Sequence, residues 1–148
     1  MHMSNVARMQ QSAYTSGMTA ALGGYTKTLR LRRGLSKAEV LRRIEKQFNQ
    51  KIDRSTLYRI EKGGHWPDSD FLTALLGIIG GDLDDLIWLL QHGNASELEG
   101  CQLAETWLRD HGTATDVEVV MQARSRPDAE EIAEELEELA RKIRAGRE

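Results

Sequence analysis

The chain has 148 residues, 20 Lys/Arg against 23 Asp/Glu and one cysteine, which suits a single ordinary domain or a small domain with a helical appendage. A lone Cys101 excludes an intrachain disulfide and fits a reducing, cytoplasmic setting. No apolar run follows a basic start as in a signal peptide, and the run from Phe71 to Ile79 is too short and interrupted to cross a membrane.

The near-neutral total conceals a division. Residues 1–67 hold 13 Lys/Arg and 4 Asp/Glu, a surplus of +9, whereas residues 68–148 hold 7 and 19, a surplus of −12. A basic half is the electrostatic footprint of nucleic-acid binding, and the acidic half would be repelled by phosphate.

In chain order, residues 1–19 are polar and show neither helical nor alternating period, so they are expected to form a flexible arm, with Arg8 its one cation. Leu22, Tyr25 and Leu29 then recur at helical spacing, and Gly34 supplies a stop. Ser36 with Glu39 three residues on predicts a capping box. The helix it opens has Val40, Ile44 and Phe48 inside and Lys37, Arg42, Arg43 and Lys46 outside.

Asp53 caps a third, short helix that ends near Gly63. Leu57 and Ile60 face inward, which leaves Arg54, Ser55, Tyr58, Arg59 and Lys62 on an outer face suited to a polyanion. Pro67 and Asp68 start a fourth helix around Phe71, Leu72, Leu75, Ile78 and Ile79. Asp82, with Asp85 in a capping-box position, starts a fifth around Leu83, Leu86, Ile87 and Leu90.

Three separated blocks carry a family resemblance: Arg30 to Val40 (RLRRGLSKAEV), Arg54 to Gly63 (RSTLYRIEKG), and Pro67 with the two capped helices after it. Residues 22–91 resemble the Cro and lambda-repressor (XRE) helix-turn-helix family. The resemblance implies an all-α fold, a five-helix bundle over residues 20–91 whose third helix enters the major groove, with a dimer on a pseudo-palindromic double-stranded DNA operator. It also implies base contacts from Arg54, Ser55, Tyr58 and Arg59, and phosphate contacts from Ser36, Lys37, Lys62, Gly64 and His65. The forked arginine side chain can bond both acceptors of guanine, which gives these roles a chemical basis. Glu61 matches the family's structural acid, paired with Arg30.

One spacing departs from the family. Seventeen residues separate Ser36 from Asp53, against about eleven in the usual pattern, and Phe48 in phase with Val40 and Ile44 suggests that the second helix is lengthened. Lys46 and Lys51 sit on this projection.

Residues 92–148 are expected to form an acidic helical module for dimerisation or for a protein partner. A helix from Asn94 or Ser96 carries Leu98, Cys101, Ala104 and Leu108; residues 116–124 suit a helix or a strand and are taken as helix. A last helix after Pro127 bears an apolar stripe of Ile132, Leu136, Leu139 and Ile143 beside crowded glutamates. That stripe is too short for a coiled coil on its own, so it must pack on a second subunit, a partner or the preceding helices.

Trp66 is read as a packing residue between the third and fourth helices. The four histidines and Cys101 have no metal-ligand spacing, and no cofactor is indicated. Paired acids such as Asp84 and Asp85 lack a nucleophile or histidine partner, so catalysis has no support. Two functions stay open: a transcriptional regulator, as a repressor, and an antitoxin or phage-type interaction protein whose acidic C-terminal helices bind another protein.

Overall fold

The computed structural model describes residues 5–91, 96–111 and 127–147, all organised as helices and the turns between them. The described helices are α1 (Asn5–Arg32), α2 (Lys37–Phe48), α3 (Arg54–Glu61), α4 (Ser69–Ile79), α5 (Leu83–Gln91), α6 (Glu97–His111) and α7 (Ala129–Arg147). None of them is long and apolar enough to cross a membrane. The segment left open between helix and strand, 116–124, lies outside the described residues.

Helix α1 is the axis of the molecule. It starts at Asn5, so residues 5–19 of the segment expected as an arm have a helical backbone and residue 19 falls inside a continuous helix; the side chain of Arg8 is outside the described residues. The predicted stripe of Leu22, Tyr25 and Leu29 is buried, but so are Ala21, Thr28 and Leu31 on the other side. A helix apolar on two faces needs partners on both. Helices α3, α4, α5, α6 and α7 all pack on α1, α6 most extensively.

The ends are set by local chemistry. Gly34 at φ 68° closes α1, its amide donating to the Leu31 carbonyl at 2.9 Å. The Ser36 hydroxyl accepts from the Glu39 amide at 3.1 Å, the Asp53 carboxylate accepts from the Ser55 amide at 3.3 Å, and Asp68 accepts from the Phe71 amide at 2.8 Å. Two expected capping boxes are modified. Glu39 turns outward to Arg42 and Arg43, and at α5 a tyrosine is inserted into the box: the Tyr25 hydroxyl accepts from the Asp82 amide at 2.8 Å and donates to Asp85 at 2.9 Å.

Helix α2 does run through to Phe48, with Asn49 as a left-handed cap at φ 54°. Phe48, expected on the inner face, is 39 % exposed instead, because α2 has by then passed the core and the ring lies over Gly77 of α4. Trp66 is half-buried against the main core, consistent with packing.

That core is shared across the expected domain division. Ala104 and Leu108 of α6 lie in the same buried cluster as Leu57, Ile60 and Leu75, and the Trp107 indole donates to the Gly80 carbonyl at 2.8 Å. Among the described residues, the main cluster therefore has members on both sides of residue 91. The backbones of α1 and α6 meet directly: Gly24 faces the Glu97 carbonyl, Gly100 faces the Ala21 carbonyl, and a methyl group at either glycine would collide.

Helix α7 packs its stripe inward. Ile132, Leu136, Leu139 and Ile143 are buried with Leu31 and Cys101 in a second, smaller cluster. Of the three expected coverings, the preceding helices are the one seen: in this conformation the stripe is covered by α1 and α6 of its own chain.

Candidate nucleic-acid interface

Helix α3 is pinned by one face. Leu57 and Ile60 are fully buried, and with 100° per residue the opposite positions must emerge. Arg54, Ser55, Tyr58 and Arg59 are all exposed, the Tyr58 side chain by half. Two guanidinium groups, a hydroxyl and a phenol thus share one solvent-facing surface on a rigidly capped helix of eight residues. Such a surface offers both donor forks for base edges and a flat ring for a methyl group.

Around this surface lie further cations. Lys62 follows α3 and is exposed, with its ammonium 5.4 Å from the Tyr58 ring centroid; the Lys37 ammonium is 5.9 Å away on the α2 side. Gly64 is exposed, and its amide is bonded to the Arg59 carbonyl at 2.9 Å, while His65 is half-buried. Ser36 differs from the other predicted contacts. It is 3 % exposed, and its hydroxyl is occupied by the α2 cap, so it holds the helix start in place rather than presenting a free group.

On the outer side of α2, Glu39 accepts from Arg42 at 2.6 and 2.9 Å and from Arg43 at 2.9 Å. The hydrogen bonds from Arg42 chiefly, against some desolvation, bring the Glu39 carboxyl down to about 2. The cationic face of α2 is therefore partly neutralised within the helix, and Lys46 remains exposed at its end.

Residues 21–89 match the Helix-turn-helix domain family. They span the buried anchor of α1, the α2–α3 pair and the two helices that close the bundle. These residues form a helix-turn-helix domain of the Cro and lambda-repressor type. No curated protein and no solved structure matches the chain.

Within the helix-turn-helix domain, Arg30 and Glu61 make the ion pair that the resemblance implied. Arg30 Nε and Nη2 donate to the two Glu61 carboxylate oxygens at 2.7 and 2.8 Å, and Nη1 donates to the Leu35 carbonyl at 2.8 Å. Arg30 is fully buried. Burial disfavours its charge, but the carboxylates of Glu61 and then Glu135 together outweigh this and hold the guanidinium protonated well above its ordinary value. The pair ties the end of α1 to the end of α3 and so fixes the angle at which the exposed face of α3 is presented.

The helix-turn-helix domain also meets an acid that sequence reasoning did not place there. Glu135, from the middle of α7, bonds Arg30 Nη2 and lies 3.4 Å from the Lys37 ammonium. Glu138 shares a cleft of about 170 Å³ with Lys27, Lys37, Tyr58 and Lys62. The separation of 105 residues between Arg30 and Glu135 explains the omission. The available signal was the flank Glu131, Glu135, Glu138 beside the apolar stripe: once the stripe packs on α1, its flanking acids must face whatever α1 and α2 carry.

No group of three or more His, Cys, Asp or Glu side chains among the described residues is arranged to hold a metal ion. Cys101 is buried, its sulfur donating to the Gly24 carbonyl at 3.6 Å, and burial pushes its thiol above the ordinary range.

Proposed function

We propose that this protein is a sequence-specific, double-stranded DNA-binding transcriptional regulator that represses by occupying a pseudo-palindromic operator as a dimer. The observation that carries the reading is the exposed row Arg54, Ser55, Tyr58 and Arg59 on a helix whose opposite face is locked into the core. Family membership of residues 21–89 supports DNA binding. Lys37, Lys62, Gly64 and His65 border the row and are suited to phosphates, which position the protein without reading sequence.

The two kinds of contact separate experimentally. Arg54→Ala or Arg59→Ala should cost about 1–3 kcal/mol on the preferred site and flatten base preference at one position. Lys62→Ala should weaken binding to every duplex alike and lower the salt slope by about one unit. Footprinting on DNA next to its own gene, followed by fluorescence anisotropy on the protected site, measures both. Absence of salt-dependent binding to any duplex would refute the reading.

A dimer needs an exposed surface, and the α7 stripe is covered. Among the described residues, Leu83, Ile87 and Trp88, at spacing i, i+4 and i+5 on α5, are large apolar side chains left exposed together. They suit a two-fold contact that sets two α3 helices about 34 Å apart. Ile87→Lys is expected to convert the dimer to monomer in light scattering, with helix content unchanged. For an antitoxin-like role, α7 would have to leave α1 or bind its partner through its acidic outer face.

A further inference from the structure

The acidic helix α7 lies where phosphate should go. Lys37 starts α2 and faces Tyr58, a position suited to the DNA backbone, yet its ammonium is shared with Glu135. Arg30 already has a full carboxylate partner in Glu61, so Glu135 is a second acid on one buried guanidinium. Its charge is balanced by Lys37. The four groups close to neutrality only while α7 is docked; without α7, one cation at the start of α2 is left for an outside anion. Glu138 extends the same acidic flank along the cleft toward Lys27 and Lys62.

The attachment of α7 is of a kind that can reverse. Four apolar side chains of its stripe seat on Leu31 and Cys101, a cluster separate from the main core, and Lys142 reaches Glu97 of α6 at 3.4 Å. The five helices of the DNA-binding bundle share a core to which α7 contributes nothing. Its release would leave that core intact.

We infer that α7 is a built-in competitor for DNA: its Glu135 holds Lys37, a phosphate-binding cation of the helix-turn-helix domain, with Glu138 beside it in the same cleft, and α7 must undock for the backbone of DNA to reach Lys37. This rests on the proposed DNA-binding role of α3 and assigns its regulation. Docked α7 and bound duplex are mutually exclusive at that lysine, so anything that captures the α7 stripe raises DNA affinity.

Cys101, the one cysteine, reports the docked state because it is buried beneath the α7 stripe. With the full chain and a mixed-sequence duplex at low salt, thiol labelling of Cys101 in the wild-type protein should accelerate severalfold on adding saturating DNA. Glu135→Gln should bind the duplex about tenfold more tightly with a steeper salt slope. Glu137→Gln, with the same change in net charge on the other flank of α7, should leave both nearly unchanged. A labelling rate that DNA leaves unchanged or slows overturns the inference, whatever the affinities, because a tighter Glu135→Gln complex would then reflect only relieved repulsion. If neither wild-type protein nor variant binds duplex, the DNA-binding reading of α3 falls and takes this inference with it.

Discussion

Arg30 shows how one residue joins stability to function. It is the largest fully buried side chain among the described residues, bonded to carboxylates from α3 and α7 and to a carbonyl in the α1–α2 turn. Removing one member of a buried pair costs more than the pair itself contributes, because the remaining charge has no water. Arg30→Met should therefore lower unfolding stability by about 3–5 kcal/mol in urea titration, with Glu61 left as the stranded acid. Conversely, the Arg54 and Arg59 side chains are solvated in the free protein, so replacing them should leave the urea midpoint nearly unchanged. Tyr25 belongs with Arg30: its hydroxyl joins the start of α5 to α1, a role its place in an apolar stripe did not reveal.

At the scale of elements, the crossing of α1 and α6 is decided by what is missing. Gly24 and Gly100 let each backbone touch a carbonyl of the other, a separation no side chain permits. Gly100→Ala must push α6 away from α1, and should lose about 1–3 kcal/mol by overpacking although alanine is the better helix former. Chemical denaturation measures the loss; a stabilised variant would mean that the helices sit further apart than described. The long α2 follows a different logic. Its first turns are fastened by Val40 and Ile44 in the core, but its last turn overhangs and carries Phe48 onto Gly77. Helical phase predicts on which side a residue lies, and it cannot tell whether the neighbouring element reaches that far.

Across the whole molecule, the opposed charges of the two halves have a structural use. The acidic half does not stand clear of the basic one, since Glu135 and Glu138 are laid against it. Burial opposes the charge of Glu135, but Arg30 and then Lys37 outweigh it and hold its carboxyl below the ordinary range. A lowered folded value means that the contact stabilises fully above the unfolded carboxylate range, about pH 4.3, and that this contribution is lost as pH falls through the folded value. Urea midpoints of wild type and Glu135→Gln should therefore differ near neutral pH in favour of the wild type and converge on acidification below the folded value. A gap that widens on acidification would contradict the assignment.

By itself the sequence determined most of the helices, the caps at Ser36, Asp53 and Asp68, and the exposed row on α3. These are local properties: side-chain spacing at 3.6 residues per turn, Ser36, Asp53 and Asp68 at helix starts, Gly34 and Gly63 at helix ends. The Arg30–Glu61 pair was legible too, through a resemblance confined to residues 22–91. Only the tertiary structure decided that α1 is buried on two sides, that Ser36 is enclosed, that the α7 stripe is covered by its own chain, and that Glu135 reaches Lys37. Each of these depends on which surfaces meet over separations as long as 105 residues. A periodic pattern states that a face must be buried, and burial is satisfied equally by a second subunit or by the same chain; the choice belongs to packing.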